Sequence, residues 1–346
     1  MRGEVVNAEC LVKVIRGGVV ESEHWGHIAV VNSEGELIYS NGDPKMVTFA
    51  RSSMKPLQAI PILETGAADF YQLSEADLSL ACASHNGENQ HTDRVRKILK
   101  DLDLTVDSLK CGTHPPRWQK AYEEVLIKGG EITAEYNNCS GKHSGMLATA
   151  KFMGESLEDY YKTNHPVQTR IIEVISDLCE IPIGEIEIGV DGCGVPVHGI
   201  PLEKLALGFS KLANPSSLPE KRKQAINRVT SAMMAEPEMV GGTNRFCTDF
   251  MKIEEGRMFG KAGAEGVYCI GDTETGIGIA IKIEDGNGRA TSPVAVEVLK
   301  QLNLLNEKQS KLLEEYHYPK LLNARKEVIG ELRPIFSLKN VKSILS

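Results

Sequence analysis

A chain of 346 residues is long enough to bury a large α/β core without disulfide or structural-metal staples, and 41% hydrophobic with 25% charged residues excludes a disordered chain. The formal charge of −8, with no long run of Lys or Arg, excludes a basic stripe for phosphate neutralisation, so no nucleic acid partner is expected. The amino-terminal segment MRGEVVNAEC lacks a secretory pattern, and no run of about 18 apolar residues occurs, so the reading is a cytoplasmic protein with no membrane partner.

In chain order, 11–15, 28–31 and 37–39 read as short strands separated by Gly17-Gly18 and by Asn32-Ser33-Glu34-Gly35, the second and third forming a hairpin. From Ser52 to about Ala235 the pattern is mostly helical, with amphipathic stretches at 93–102, 166–179 and 220–234. Strands return at 258–262, 267–270 and 277–283; a helix is expected over 292–305, and the tail from Lys308 is charged and less periodic. The expected fold is therefore α/β, an antiparallel sheet built from N- and C-terminal strands around a large helical middle segment. Residues 1–346 make a single module, with a sheet lobe from 1–51 and 250–346 and a mainly helical lobe from 52–249.

Eight cysteines are scattered with no CxxC pair, which points to reduced thiols and away from a zinc ribbon or redox motif. Arg51-Ser52-Ser53-Met54-Lys55-Pro56 contains Ser-x-x-Lys, a spacing that on one helical turn puts a hydroxyl and an ammonium on the same face. A lysine desolvated or crowded by a cation such as Arg51 can take the serine proton. The bland alternative is Ser52 as an N-cap and Lys55 in solvent. Lys261-Ala262-Gly263, at the end of an expected strand, looks like the third element of the Ser-x-x-Lys, Ser-Asp-Asn, Lys-Thr-Gly set.

Cys82 to Glu88 packs Ser84, His85 and Asn86 behind an apolar helix, as a pocket-lining turn or a plain C-cap would. Asn138-Cys139-Ser140-Gly141-Lys142-His143 and Asp191-Gly192-Cys193-Gly194 are the other dense polar stretches. Cys139 and His143 have the i, i+4 spacing of two metal ligands, with Cys193 a possible third, although scattered cysteines are more often small buried hydrophobes. Cys111-Gly112-Thr113-His114 reads as a structured loop. Gly241-Gly242-Thr243-Asn244-Arg245 is no phosphate cradle and could be a rim loop offering Arg245 to a carboxylate.

With these six motifs in order (51–56, 82–88, 111–114, 138–143, 191–196 and 261–266) the chain resembles the rhizobial-type, or class 3, bacterial L-asparaginases of the asparaginase II family. The resemblance implies a serine β-lactamase-like fold, hydrolysis of L-asparagine to L-aspartate and ammonia, and a homodimer. It implies two catalytic Ser-Lys pairs, Ser52 with Lys55 and Ser84 with Lys261, one serine attacking and the other relaying protons or holding the nucleophile, with the acylated serine left open and Ser52 favoured by the Ser-x-x-Lys spacing. It also implies a zinc near the substrate held by Cys139, Lys142 and Cys193. A lysine ligand must be neutral, so zinc chemistry by itself would favour His143 over Lys142. Asp191 is then the expected partner of the substrate α-ammonium, and Arg51 or His85 of its carboxylate. The competing readings are a glutaminase or other small-amide hydrolase on the same fold, and a non-catalytic zinc- or amino-acid-binding protein.

Overall fold

The computed structural model describes residues 8–341, which form two units: 8–53, 200–213 and 260–341 in one, 54–199 and 214–259 in the other. The strands are β1 (Glu9–Arg16), β2 (Val19–Val31), β3 (Leu37–Asn41), β4 (Val47–Phe49), β5 (Glu187–Val190), β6 (Pro196–Pro201), β7 (Met258–Gly263), β8 (Val267–Asp272), β9 (Ile277–Ile283), β10 (Lys320–Leu322), β11 (Val328–Pro334) and β12 (Lys339–Asn340).

The first unit is built on a sheet of order β10-β11-β1-β2-β9-β8-β7, with β3 also on β2 and β12 on β3. The pairs β1–β2, β1–β11, β2–β9 and β8–β9 are antiparallel, so the two ends of the chain meet in one sheet as expected. Its centre reads as unbroken apolar runs because every residue of β8 is buried, as are Ile279, Ala280, Ile281 and Ile283 of β9. Helices Leu202–Ala213 and Thr291–Gln301 pack on this sheet. Gly278 is needed where the first of them crosses β9: a Cβ there would lie 2.1 Å from the Ala206 carbonyl oxygen. Ser210, one turn on, donates its hydroxyl to the carbonyls of Asn32 and Gly276.

Two features were not expected. Strand β2 begins at Val19 and not near Ile28, because Gly17 and Gly18 both adopt positive φ and turn β1 straight back on it. The charged tail supplies β10, β11 and β12; its strands lie toward the sheet edge, where charged side chains meet solvent and mask the period-two pattern.

The second unit is helical apart from the β5–β6 hairpin, which lies within the stretch expected to be mostly helical. Its central element is helix Ser140–Phe152, buried from Ser140 through Ala150. Small residues make that possible: a Cβ on Gly141 would lie 2.2 Å from the Leu80 carbonyl oxygen, and one on Gly145 2.5 Å from Ile62 Cδ1. Helices Lys55–Glu64 and Glu75–Ala81 therefore seat directly on it. Among the described residues no helix is long and apolar enough to cross a membrane.

Candidate active site

The close seating of those helices delivers the chemistry of the second unit. Lys55 opens the first helix, Ser84 lies three residues beyond the second, and Cys139 precedes the central helix. Lys55 is fully buried, and its Nζ donates to the Ala83 carbonyl, to Ser84 Oγ at 3.3 Å and to Cys139 Sγ at 3.1 Å. A solvated Lys55 is thereby excluded, and so is a capping role for Ser52. The helix N-cap is Met54, with no side-chain cap bond, because a 3-10 turn over Arg51–Met54 runs straight into the helix. Ser84 is held by its own N–H, which donates to the Val240 carbonyl at 2.9 Å.

His85 is completely buried and spent on internal bonds. The Gly87 N–H donates to its Nδ1, so Nε2 carries the ring hydrogen and donates to Ser140 Oγ at 2.8 Å. Ser140 in turn donates to the Glu135 carbonyl. Burial, and then the nearby His91, Lys55, His114 and Arg117, hold His85 well below the ordinary imidazole range, so it stays neutral.

Cys139 and Cys193 are both buried, and the Cys193 thiol is hydrogen-bonded to Cys139. That bond favours the Cys139 thiolate; Lys55 and Lys142 add to it against burial, and the Cys139 pKa falls well below the usual thiol value. Cys193, which keeps the shared proton, is pushed up. Lys142 Nζ lies 3.1 Å from Cys193 Sγ. Burial disfavours the Lys142 ammonium, but the two sulfurs and Asp191 outweigh it and raise its pKa. Asp191 adjoins the cluster, its Oδ2 3.9 Å from Cys193 Sγ and its Oδ1 accepting from the Gly192 N–H.

His143, the histidine at i, i+4 from Cys139, is engaged elsewhere. The Lys110 N–H donates to the Tyr160 hydroxyl, which donates to His143 Nδ1 at 2.7 Å. Among the described residues no group of three His, Cys, Asp or Glu side chains could hold a metal ion. A zinc ion here would need Lys142 as its third protein ligand. The donor set fits: two soft sulfurs already in contact and one buried amine beside them, at the cost of the Lys142 proton. The loop ahead of this helix is pinned by Asn137, which accepts from Cys139 N–H and donates to the Cys111 carbonyl. His114 Nε2 accepts the Asn138 N–H, so Cys111 to His114 is a structured loop.

In the first unit, Ser52 sits in the 3-10 turn beside Arg51, whose φ of 52° is left-handed and costs of order 1 kcal/mol for a non-glycine residue. Arg51 faces Glu265 at 3.8 Å. Lys261 is fully buried on β7, its Nζ donating to the Ala262 carbonyl at 2.8 Å. Gly263 closes that strand against the turn, since a Cβ would lie 2.8 Å from the Ala50 carbonyl oxygen and 3.3 Å from Ser53 N. Arg117 and Arg245 of the second unit were not among the expected site residues. From the sequence Arg245 is no more than a possible rim residue, and Arg117 gives no signal because nothing about Pro116-Arg117-Trp118 says what it folds against.

Solved structures similar to this chain include a β-lactamase from Mycobacterium bovis (14% identity, 84% of this chain and 95% of that one, TM-score 0.40). Others are a β-lactamase from Sphaerobacter thermophilus (13%, 82% and 93%, 0.42) and a class C β-lactamase from Rhodobacter sphaeroides (12%, 81% and 95%, 0.42). No curated protein matches the sequence significantly. Residues 12–334 match the model of the L-asparaginase II family, and with that match covering nearly all of it the chain belongs to this family of asparaginase-type amide hydrolases.

Proposed function

We propose that the protein hydrolyses the side-chain amide of L-asparagine to L-aspartate and ammonia by serine-lysine acyl transfer. The observation that carries this reading is the buried Lys55 Nζ at 3.3 Å from Ser84 Oγ. In its neutral form Lys55 takes the hydroxyl proton as Ser84 Oγ adds to the amide carbon. The C–N bond then breaks, the same proton passes to the departing nitrogen, and ammonia leaves. Water adds to the acyl-enzyme, its proton returns by way of Lys55 to Ser84 Oγ, and L-aspartate is released. The resemblance pairs Ser52 with Lys55 and Ser84 with Lys261; with Ser84 as the nucleophile, Ser52 and Lys261 keep the proton-relay role that the resemblance implies.

Asp191 takes the substrate α-ammonium, being an acidic group beside the cluster. Neither group expected to engage the α-carboxylate is well suited to it: His85 has both ring nitrogens in use, and Arg51 already faces Glu265. Cys139, Lys142 and Cys193 would hold the zinc, which when bound supplies a positive charge that orients the substrate. The assignment carries with it a homodimer acting in the cytoplasm.

The test is ammonia release by purified protein from L-asparagine and L-glutamine, with and without a chelator. Release from asparagine alone supports the reading, and loss on chelation supports the zinc. Equal or greater release from glutamine moves the assignment to glutaminase, since one methylene is worth only about 1 to 3 kcal/mol in a pocket. Stoichiometric amino-acid binding without turnover supports the non-catalytic alternative.

A further inference from the structure

The backbone of Ser84 is tied by its N–H to the Val240 carbonyl at 2.9 Å, so the segment around Val240 helps set where the serine stands. Beyond Val240 the chain runs through Gly241-Gly242-Thr243, between the short helix Pro237–Val240 and helix Phe246–Ile253, with no regular structure of its own.

One carboxylate fastens this loop to the segment that carries Ser84. Glu88 Oε1 accepts the Thr243 N–H at 2.7 Å, and Glu88 Oε2 accepts the Thr243 hydroxyl at 2.9 Å, so both oxygens grip one residue. Asn86 completes the clasp: its Nδ2 donates to Glu88 Oε1 at 3.1 Å and to the Thr243 carbonyl at 2.9 Å. Hydrogen bonds to an ionised acceptor are the strong ones. Burial opposes the charge on Glu88, but the bonds from Thr243 and Asn86 outweigh it and lower its pKa. The loop also passes so close that a Cβ on Gly242 would collide with Glu88 Oε1, and its φ of 100° suits only glycine. Gln90 Nε2 donates to Glu88 Oε2 at 3.0 Å, so four donors already occupy the carboxylate and its work is to hold structure.

We infer that Glu88 is a positioning residue for Ser84: by clasping Thr243 it fixes the loop after Val240, and with it the carbonyl that holds the Ser84 N–H. Every contact in this chain lies within the second unit, alongside the 3.3 Å contact of Ser84 with Lys55. The inference rests on the amide-hydrolase reading for its kinetic consequence, since a displaced hydroxyl loses its alignment with the substrate amide and with Lys55.

The experiment measures L-asparagine turnover, thermal melting and backbone hydrogen exchange, read by mass spectrometry over 82–88 and 238–245, on the full-length protein and its variants. Glu88→Ala is expected to lower kcat by about 10- to 100-fold, with KM within about threefold and faster exchange confined to those two stretches. Thr243→Val, which keeps the N–H bond and loses the hydroxyl bond, should lose about fivefold in kcat. The double variant should be no worse than Glu88→Ala, because both changes cut the same contact. Glu88→Gln should recover most of the turnover, its Oε1 accepting the Thr243 N–H and its Nε2 donating to the Thr243 hydroxyl oxygen. If Glu88→Ala does not fold, Thr243→Val and Glu88→Gln decide by the same readings. Normal kcat in Glu88→Ala, a fall in kcat without faster exchange over 82–88, or a Glu88→Gln protein as impaired as Glu88→Ala overturns the positioning role and leaves the hydrolase reading standing. No turnover by the unaltered protein, with exchange over 82–88 still dependent on Glu88, overturns the hydrolase reading and keeps the clasp.

Discussion

Lys55 Nζ and Ser84 Oγ lie 3.3 Å apart although 29 residues separate them in the chain. Ser84→Ala is accordingly expected to lower kcat on L-asparagine by at least about 10³-fold. The melting temperature should barely move, since one hydroxyl contact is worth about 1 kcal/mol. Lys55→Met should be equally inactive and less stable by about 1 to 3 kcal/mol, because the Ala83 carbonyl and Cys139 lose their buried donor. Ammonia assays alongside thermal melts check both; a Ser84→Ala protein with a tenth of normal turnover would remove that serine from the scheme.

The same contact depends on how near the central helix comes to its neighbours. Gly141→Ala would gain about 1 kcal/mol of helix propensity, but its methyl would sit 2.2 Å from the Leu80 carbonyl oxygen and 2.6 Å from Leu80 Cγ. Backbone on one side and a packed side chain on the other cannot give way cheaply. The net expectation is a loss of about 2 kcal/mol or more, read as a lower urea midpoint, with turnover falling as Ser84 shifts from Lys55.

For the metal, Cys193→Ser and Lys142→Met should each abolish stoichiometric zinc in elemental analysis, whereas His143→Gln should keep it, because His143 Nδ1 is bonded to Tyr160. Retention by Lys142→Met with loss in His143→Gln would transfer the third ligand to the histidine.

Stability should also fall on mild acidification. His85 and His198 are buried neutral, below the ordinary 6.5, His198 at about 4, mainly through burial. Between those limits the unfolded chain takes up protons that the folded chain refuses, so stability declines as pH drops from about 6.5 toward 4. The slope is at most about 1.4 kcal/mol per pH unit for each histidine. The depressed carboxylates Asp285 and Glu297 add their loss only below about 4.5. Urea denaturation at pH 7, 6 and 5 checks this, and His198→Asn should flatten the upper part of the slope.

By itself the sequence determined the elements whose burial leaves a period: β7 to β9, and helices such as Pro166–Cys179, found over the residues expected. It also determined the family, because six short motifs kept their order and residue types, and it flagged Ser84, Lys55, Cys139 and Cys193 as chemistry. Only the tertiary structure decided which partners those groups have. Ser-x-x-Lys spacing says nothing of Ser84, which reaches Lys55 because Gly141 and Gly145 let three helices converge. The i, i+4 spacing of Cys139 and His143 is real, yet Tyr160 claims the histidine and leaves Lys142 beside Cys193. Strands β10 to β12 and β5 stayed hidden because their faces are largely wet, and β6 because Pro196, His198 and Gly199 interrupt its apolar residues although it is buried; hydrophobic periodicity records burial, not pairing.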